Sequence, residues 1–231
     1  MEKALEIAPE IYNKIPNLVI ISGFLEIGEP DKDGISSYLN ESWINLTEEV
    51  KNHGHSTHPL IAHWRKALQT AKISVKKFPP SIQAIAKRTL RSNTPFCINP
   101  IVDTYNAISM DLILPSGAYD VPLMDGGLKL RLSNGGKVFS PIGKSEPTVT
   151  MPEEIVYSDE LDVLTRQFLW QQSEKAKITD STTSVVFVFE LLSDMDHEFI
   201  EKAQYTIEDK FHSLLNGDVS ELFIHRAHAL S

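Results

Sequence analysis

Residues 95–120 read PFCINPIVDTYNAISMDLILPSGAYD, and the fold of this stretch decides how the rest of the chain is arranged around it. Val102, Tyr105, Ile108 and Leu112 recur at helical spacing, which predicts a helix with one apolar face and with Asp103 and Asn106 beside that face. Pro115 lies beyond its end, because proline has no N–H to continue a helix. Ser116 and Gly117 then predict a turn where backbone can approach a ligand, with Tyr119 and Asp120 directly after it. Helix and turn together form one wall of a candidate pocket.

Working outward, Asn17 to Ile27 is rich in branched and aromatic residues and reads as a buried strand, broken by GEPDKDG. The spacing predicts helices over 35–50 and 60–75, and Phe78, Pro79 and Pro80 mark a junction. Residues 1–80 therefore read as an N-terminal strand and helical layer packed on a unit formed by residues 81–231. Ser81 is the expected N-cap of a short helix, IQAIAKRTL. LKLRLS and KVFSPI alternate and are joined by Ser133, Asn134, Gly135 and Gly136, which predicts a hairpin. Strands follow at Ile155 to Tyr157, Val163 to Trp170 and Ser184 to Leu192. A helix capped by Ser193 or Asp194 carries Phe199, Ala203, Ile207, Phe211 and Leu214 on one face and stops at Gly217, before a last strand, ELFIHR. Strands clustered together, with helices before and after, predict an α+β fold with a mainly antiparallel sheet.

The chain has 231 residues, 42% hydrophobic and 23% charged, enough to bury a sizeable core. No apolar run approaches the length of a membrane span, and the start lacks the apolar centre of a signal peptide, so the expected location is cytoplasmic and no membrane partner is expected. The net charge of −9 argues against nucleic acid, yet its distribution does not. From Lys51 to Val102 there is no acidic residue, while nine cations fall inside, among them Lys76, Lys77, Lys87, Arg88 and Arg91. Such a block is either a solvated helical face or a surface for a phosphate backbone.

Other chemistries are weakly signalled. His53, His55, His58 and His63 form the densest histidine group, but imidazoles in a glycine-bearing loop with no cysteine or carboxylate evident nearby read as exposed polar residues, and no metal is expected. The single cysteine, Cys97, excludes an internal disulfide and a multi-thiolate zinc site. No Walker loop, GxGxxG or GxSxG occurs, and no cofactor is called for. Arg166, Trp170 and Gln172 share strand parity and would face one side of a sheet. Glu190 ends the apolar run SVVFVFELL, where a carboxylate is either paired, emerging into water, or held at a pocket with a raised pKa.

PIVDTYNAIS followed by LPSGAYD resembles the asparagine-bearing helix and aspartate turn of the editing domain in the phenylalanyl-tRNA synthetase beta subunit, and more closely its free-standing relatives. The resemblance continues in order through LKLRLSNGGKVFSPIG, EEIVYSDE, LTRQFLWQQS and ITDSTTSVVFVFE, covering roughly Ser81 to Leu192. It implies a sandwich-like sheet covered by helices, and a cleft in which water hydrolyses the ester of mischarged tRNA without a metal or a protein nucleophile. On that reading the partner is tRNA rather than DNA, Asn106 and Glu190 are the catalytic candidates, and Tyr105, Ser116, Gly117, Tyr119, Asp120, Arg166, Trp170 and Gln172 bind substrate. The family histidine falls on Gly117, and the family glutamate aligns to Val188, two positions before Glu190. Carboxylates at Asp120 and Glu190 point to a cationic or polar amino acid, such as an arginine mimic. Two other readings stay open: a non-catalytic tRNA- or synthetase-binding module, and a small-molecule hydrolase or sensor.

Overall fold

A computed structural model describes residues 4–144 and 146–227. Strand β1 (Leu5–Ile7) and helix α1 (Pro9–Lys14) lead into β2 (Leu18–Glu26). Helices α2 (Lys32–His53), α3 (Pro59–Thr70), α4 (Ser81–Thr89) and α5 (Pro100–Leu112) follow. The strand-rich half contains β3 (Ser116–Asp120), β4 (Leu128–Asn134), β5 (Val138–Phe139), β6 (Thr148–Val149), β7 (Pro152–Ser158), β8 (Val163–Arg166), β9 (Gln171–Gln172) and β10 (Ser184–Leu192). Helix α6 (His197–Leu215) and strand β11 (Asp218–Arg226) end the described chain.

Two sheets form the centre, in the orders β1-β4-β7-β8-β9 and β11-β2-β10-β3, with β5 and β6 paired apart from them. All pairings are antiparallel except β1 with β4, so the fold is α+β with an antiparallel-rich core. The sheets face each other: the Tyr119 hydroxyl on β3 lies 2.8 Å from Thr165 Oγ1 on β8, and the Tyr157 hydroxyl on β7 donates to Glu190 Oε1 on β10 at 2.8 Å. On its other face β10 presents Phe187 and Phe189 to Phe211 of α6, with ring centroids 4.9 and 6.2 Å from it. Alternate residues of one strand thus serve two different layers.

Helix α5 is buried nearly all round. Asn99 caps it, accepting from the Val102 N–H at 2.9 Å, and Pro100 fits the first turn, where no N–H is needed. Ile101, Val102, Tyr105, Ile108 and Leu112 pack into the main core with the sheet. Ala107 and Met110 belong to a second cluster with Leu39, Trp43 and Leu46 of α2 and Ile82 and Ala86 of α4. The chain leaves α5 through Ile113 in the left-handed region, φ 53°.

The structure differs from the sequence reading at several places. Ser116 and Gly117 are not a turn but open β3, paired with Phe189 and Val188. KVFSPI does not return on LKLRLS: β4 pairs with β1 and β7, while β5 pairs with β6. Gly135 and Gly136, both near φ +77°, instead turn the chain out of the sheet. The span 163–170 is broken after Arg166 by left-handed Gln167 and Phe168. Pro80, not Ser81, precedes the first turn of α4, and Asp196 caps α6. Strand β2, from the first 80 residues, lies between β10 and β11 in the sheet.

Candidate active site and basic cavity

Cross-strand pairing sets the candidate site. Tyr119 pairs with Val186 and Gly117 with Val188, so Gly117, Tyr119 and Glu190 share the face of the sheet that looks toward β7 and β8. Glu190 is 2% exposed; its Oε1 takes the Tyr157 hydroxyl, while its Oε2 is buried without a partner. Burial pushes its carboxyl up to about 7, against the smaller lowering effects of the Tyr157 hydroxyl and the Glu190 backbone. Burial also raises the Tyr119 and Tyr157 hydroxyls far from ionisation, and Glu190 adds to both. Tyr105 is raised by burial and then by Asp103, and it stands close enough to Tyr119 to influence it. Asn106 is buried, and its amide makes no hydrogen bond among the described residues. A side chain would fit at Gly117: a Cβ there would meet Val188 at 3.7 Å and the Tyr119 hydroxyl at 4.0 Å.

Asp120 does not belong to this cluster. One residue beyond Tyr119, it points to the opposite face, where Thr182 Oγ1 donates to its Oδ2 at 2.5 Å and its Oδ1 is buried without a partner. Ser116, four residues back along β3 and so on the same opposite face, likewise points away from Glu190. The three substrate candidates on the 163–172 segment are committed elsewhere. Arg166 forms a bidentate pair with Glu154, Nε to Oε1 at 2.7 Å and Nη2 to Oε2 at 2.8 Å, and its Nη1 donates to Thr148 at 2.8 Å. Trp170 lies edge-on to Phe78, 4.8 Å between centroids. Gln172 donates from Nε2 to the Ala118 carbonyl at 2.8 Å, tying β9 to β3. Arg166 is buried and its Nε, Nη1 and Nη2 each donate to a protein oxygen, so the bidentate pair with Glu154 holds it in the sheet.

The acid-free block forms a hollow. Arg65, Lys76, Lys87, Arg88 and Arg91, with His55, line a cavity of about 920 Å³ beside α3 and α4. Lys77 is exposed outside its lining. Arg65 donates to Gln83 at 2.8 Å, and the Arg88 guanidinium lies 4.0 Å over the Phe96 ring. A second cavity, about 470 Å³, opens at the start of α5 and is lined by Lys32, Asn99, Pro100, Thr179, Thr182 and Thr183. Sequence reasoning missed it; ITDSTT carried a cluster of hydroxyls, but nothing in sequence placed them against the α5 N-terminus.

The histidine group separates. His63 pairs with Asp194 at 2.7 Å, and His55 lines the basic cavity. His53 and His58 instead meet Glu49, so a carboxylate absent from the loop comes from one helical turn upstream. His58 is also buried, contrary to its reading as an exposed polar residue.

Among comparisons with known proteins, the family model described as the B3/4 domain matches residues 63–209. A solved N-terminal fragment of the phenylalanyl-tRNA synthetase beta subunit from Pyrococcus horikoshii is similar at 11% identity and a TM-score of 0.49, covering 95% of this chain. The chain spans about half of that fragment, 51%. No curated protein matches.

Proposed function

This chain belongs to the B3/4 domain family, that of the editing domain of the phenylalanyl-tRNA synthetase beta subunit, and from that premise we propose that it is an aminoacyl-tRNA deacylase acting in trans on mischarged tRNA. The observation that carries this reading is Glu190, a buried carboxyl with one oxygen bound by Tyr157 and the other unpartnered. A carboxyl held near neutrality can take a proton from an attacking water, and a general base works best when its pKa lies near the working pH. Asn106 supplies an amide with no internal partner to orient the water or hold the carbonyl oxygen. Tyr105 and Gly117 are the half-buried members of the set, and on this reading the ester enters beside them. Asp120 and Ser116 lie on the opposite face of β3, and Arg166 is paired with Glu154.

Glu190 alone supports a cationic or polar side chain, such as that of an arginine mimic, now that Asp120 faces away. A carboxylate in a dry site is costly unless a cation answers it. The enzyme is tested by a deacylation screen across charged and mischarged tRNAs, which also identifies the amino acid.

The basic cavity is the proposed seat of tRNA phosphates. Reversing Lys87, Arg88 and Arg91 to glutamate should weaken tRNA binding and lower the salt slope by about 0.7–0.9 for each phosphate no longer neutralised. Unchanged affinity and slope in filter binding would place the surface elsewhere. The hydrolytic residues include no metal-ligating set, so the maximal deacylation rate should persist in excess chelator; a fall in that rate, restored by zinc, would contradict this mechanism.

The second reading, a tRNA- or synthetase-binding module without hydrolysis, is favoured by Gly117: the resemblance to the editing domain implies a histidine at this position, and glycine offers no polar group there.

A further inference from the structure

Glu49 and His53 lie one turn apart near the C-terminal end of α2, and His58 immediately precedes α3. Glu49 Oε2 stands 3.3 Å from His53 Nδ1 and 3.4 Å from His58 Nε2, and the three ligand atoms all lie within 4.8 Å of one another. Two ligands each about 2.05 Å from a zinc ion at the tetrahedral angle stand about 3.3 Å apart. The two edges that run from Glu49 thus match those of a coordination tetrahedron, and the third, between the imidazoles, lies within 4.8 Å.

We propose that Glu49, His53 and His58 bind a divalent transition-metal ion of the zinc class, with water in the fourth position. Two nitrogens and one carboxylate oxygen suit zinc, whereas magnesium prefers an all-oxygen octahedron. The corner between the helices is built in advance of the ion. Gly54, at φ 85°, turns the chain, its carbonyl accepts from the Thr57 and His58 N–H groups at 3.2 and 2.9 Å, and Thr57 Oγ1 donates to the His53 carbonyl.

His58 is 6% exposed, so burial fixes its ring, and its Nε2 faces the Glu49 carboxylate. Glu49 and His53 are about half exposed, which leaves an entry path and room for the water. His53 Nδ1 also lies 3.1 Å from the Glu49 carbonyl, and metal binding would replace that interaction.

Between the ligands the chain carries His55 and Ser56 into the basic cavity. An ion joining α2 to the start of α3 would hold this loop in place. The role is structural and separate from hydrolysis.

The test is calorimetric titration of ZnCl₂ into the tag-free full chain after chelator treatment and desalting, with melting temperature measured alongside. The expected result is one zinc per chain, a higher melting temperature with zinc and none with Mg²⁺, since a ligand that binds only the folded state stabilises it. Glu49→Gln and His53→Ala change exposed side chains and should keep the fold by circular dichroism while weakening zinc about tenfold or more each. Absence of binding at zinc on the order of 100 μM, or equal affinity in the Glu49→Gln/His53→Ala double variant, would overturn the site.

Discussion

Glu190→Gln should lower the deacylation rate at pH 7 by about 10²–10⁴-fold, the range of a lost general base. The substitution keeps size and a hydrogen-bonding carbonyl for Tyr157 but removes the titrating group. In the parent the rate should rise with pH through about 7, where the carboxyl loses its proton, and the variant should lack that rise. A uniform fall across charged tRNAs assigns Glu190 to water activation or to the α-amino group that all substrates share. A change in which tRNAs are cleaved assigns it to the side chain. A variant as fast as the parent on every substrate would reduce Glu190 to packing.

The same substitution has a stability signature. Because the folded carboxyl is raised from 4.5 to about 7, its favourable contribution is fully present below pH 4.5 and is lost as pH rises through about 7. The full loss is about 3 kcal/mol at 1.36 kcal/mol per pH unit. Denaturant midpoints should therefore fall between pH 4.5 and 7 in the parent more steeply than in Glu190→Gln; parallel curves would mean that the carboxyl is not desolvated.

Glu154→Ala should cost about 3–5 kcal/mol of folding stability, because it leaves the buried Arg166 guanidinium without its counter-ion. Against a typical total of roughly 5–15 kcal/mol, that is enough to unfold a measurable fraction of chains. Replacing both members by apolar residues of similar volume should cost much less than the single change, since the penalty comes from the stranded charge. A single-variant loss below about 1 kcal/mol, the scale of an exposed pair, would show that Arg166 is free to serve a ligand after all.

How much of this was legible in sequence depended on the range of the interaction. The α5 periodicity and the β10 apolar run are local patterns, and both elements appear where the spacing put them. Pairing partners are not local. The NGG turn signals a change of direction but not its destination, and β4 closes on β1 and β7 instead. Arg166 looked like a ligand group because its partner Glu154 sits on a neighbouring strand, a relation set by register. Asp120 was misplaced because Ser116 and Gly117 resemble a turn; once they are strand, alternation alone sends Tyr119 and Asp120 to opposite faces. Glu49 was missed for the opposite reason, since the helical one-turn spacing to His53 was in view but His58 joins them only through the folded corner.

The most direct test of the central claim is the release of amino acid from a panel of charged and mischarged tRNAs, with the purified chain in catalytic amounts. The account predicts multiple turnovers on at least one mischarged tRNA, fastest for a cationic or polar amino acid, with little release from correctly charged tRNAs. Tight tRNA binding with no release above the buffer rate from any member of the panel would contradict it, and would leave the chain a tRNA-binding module with a closed, non-hydrolytic site.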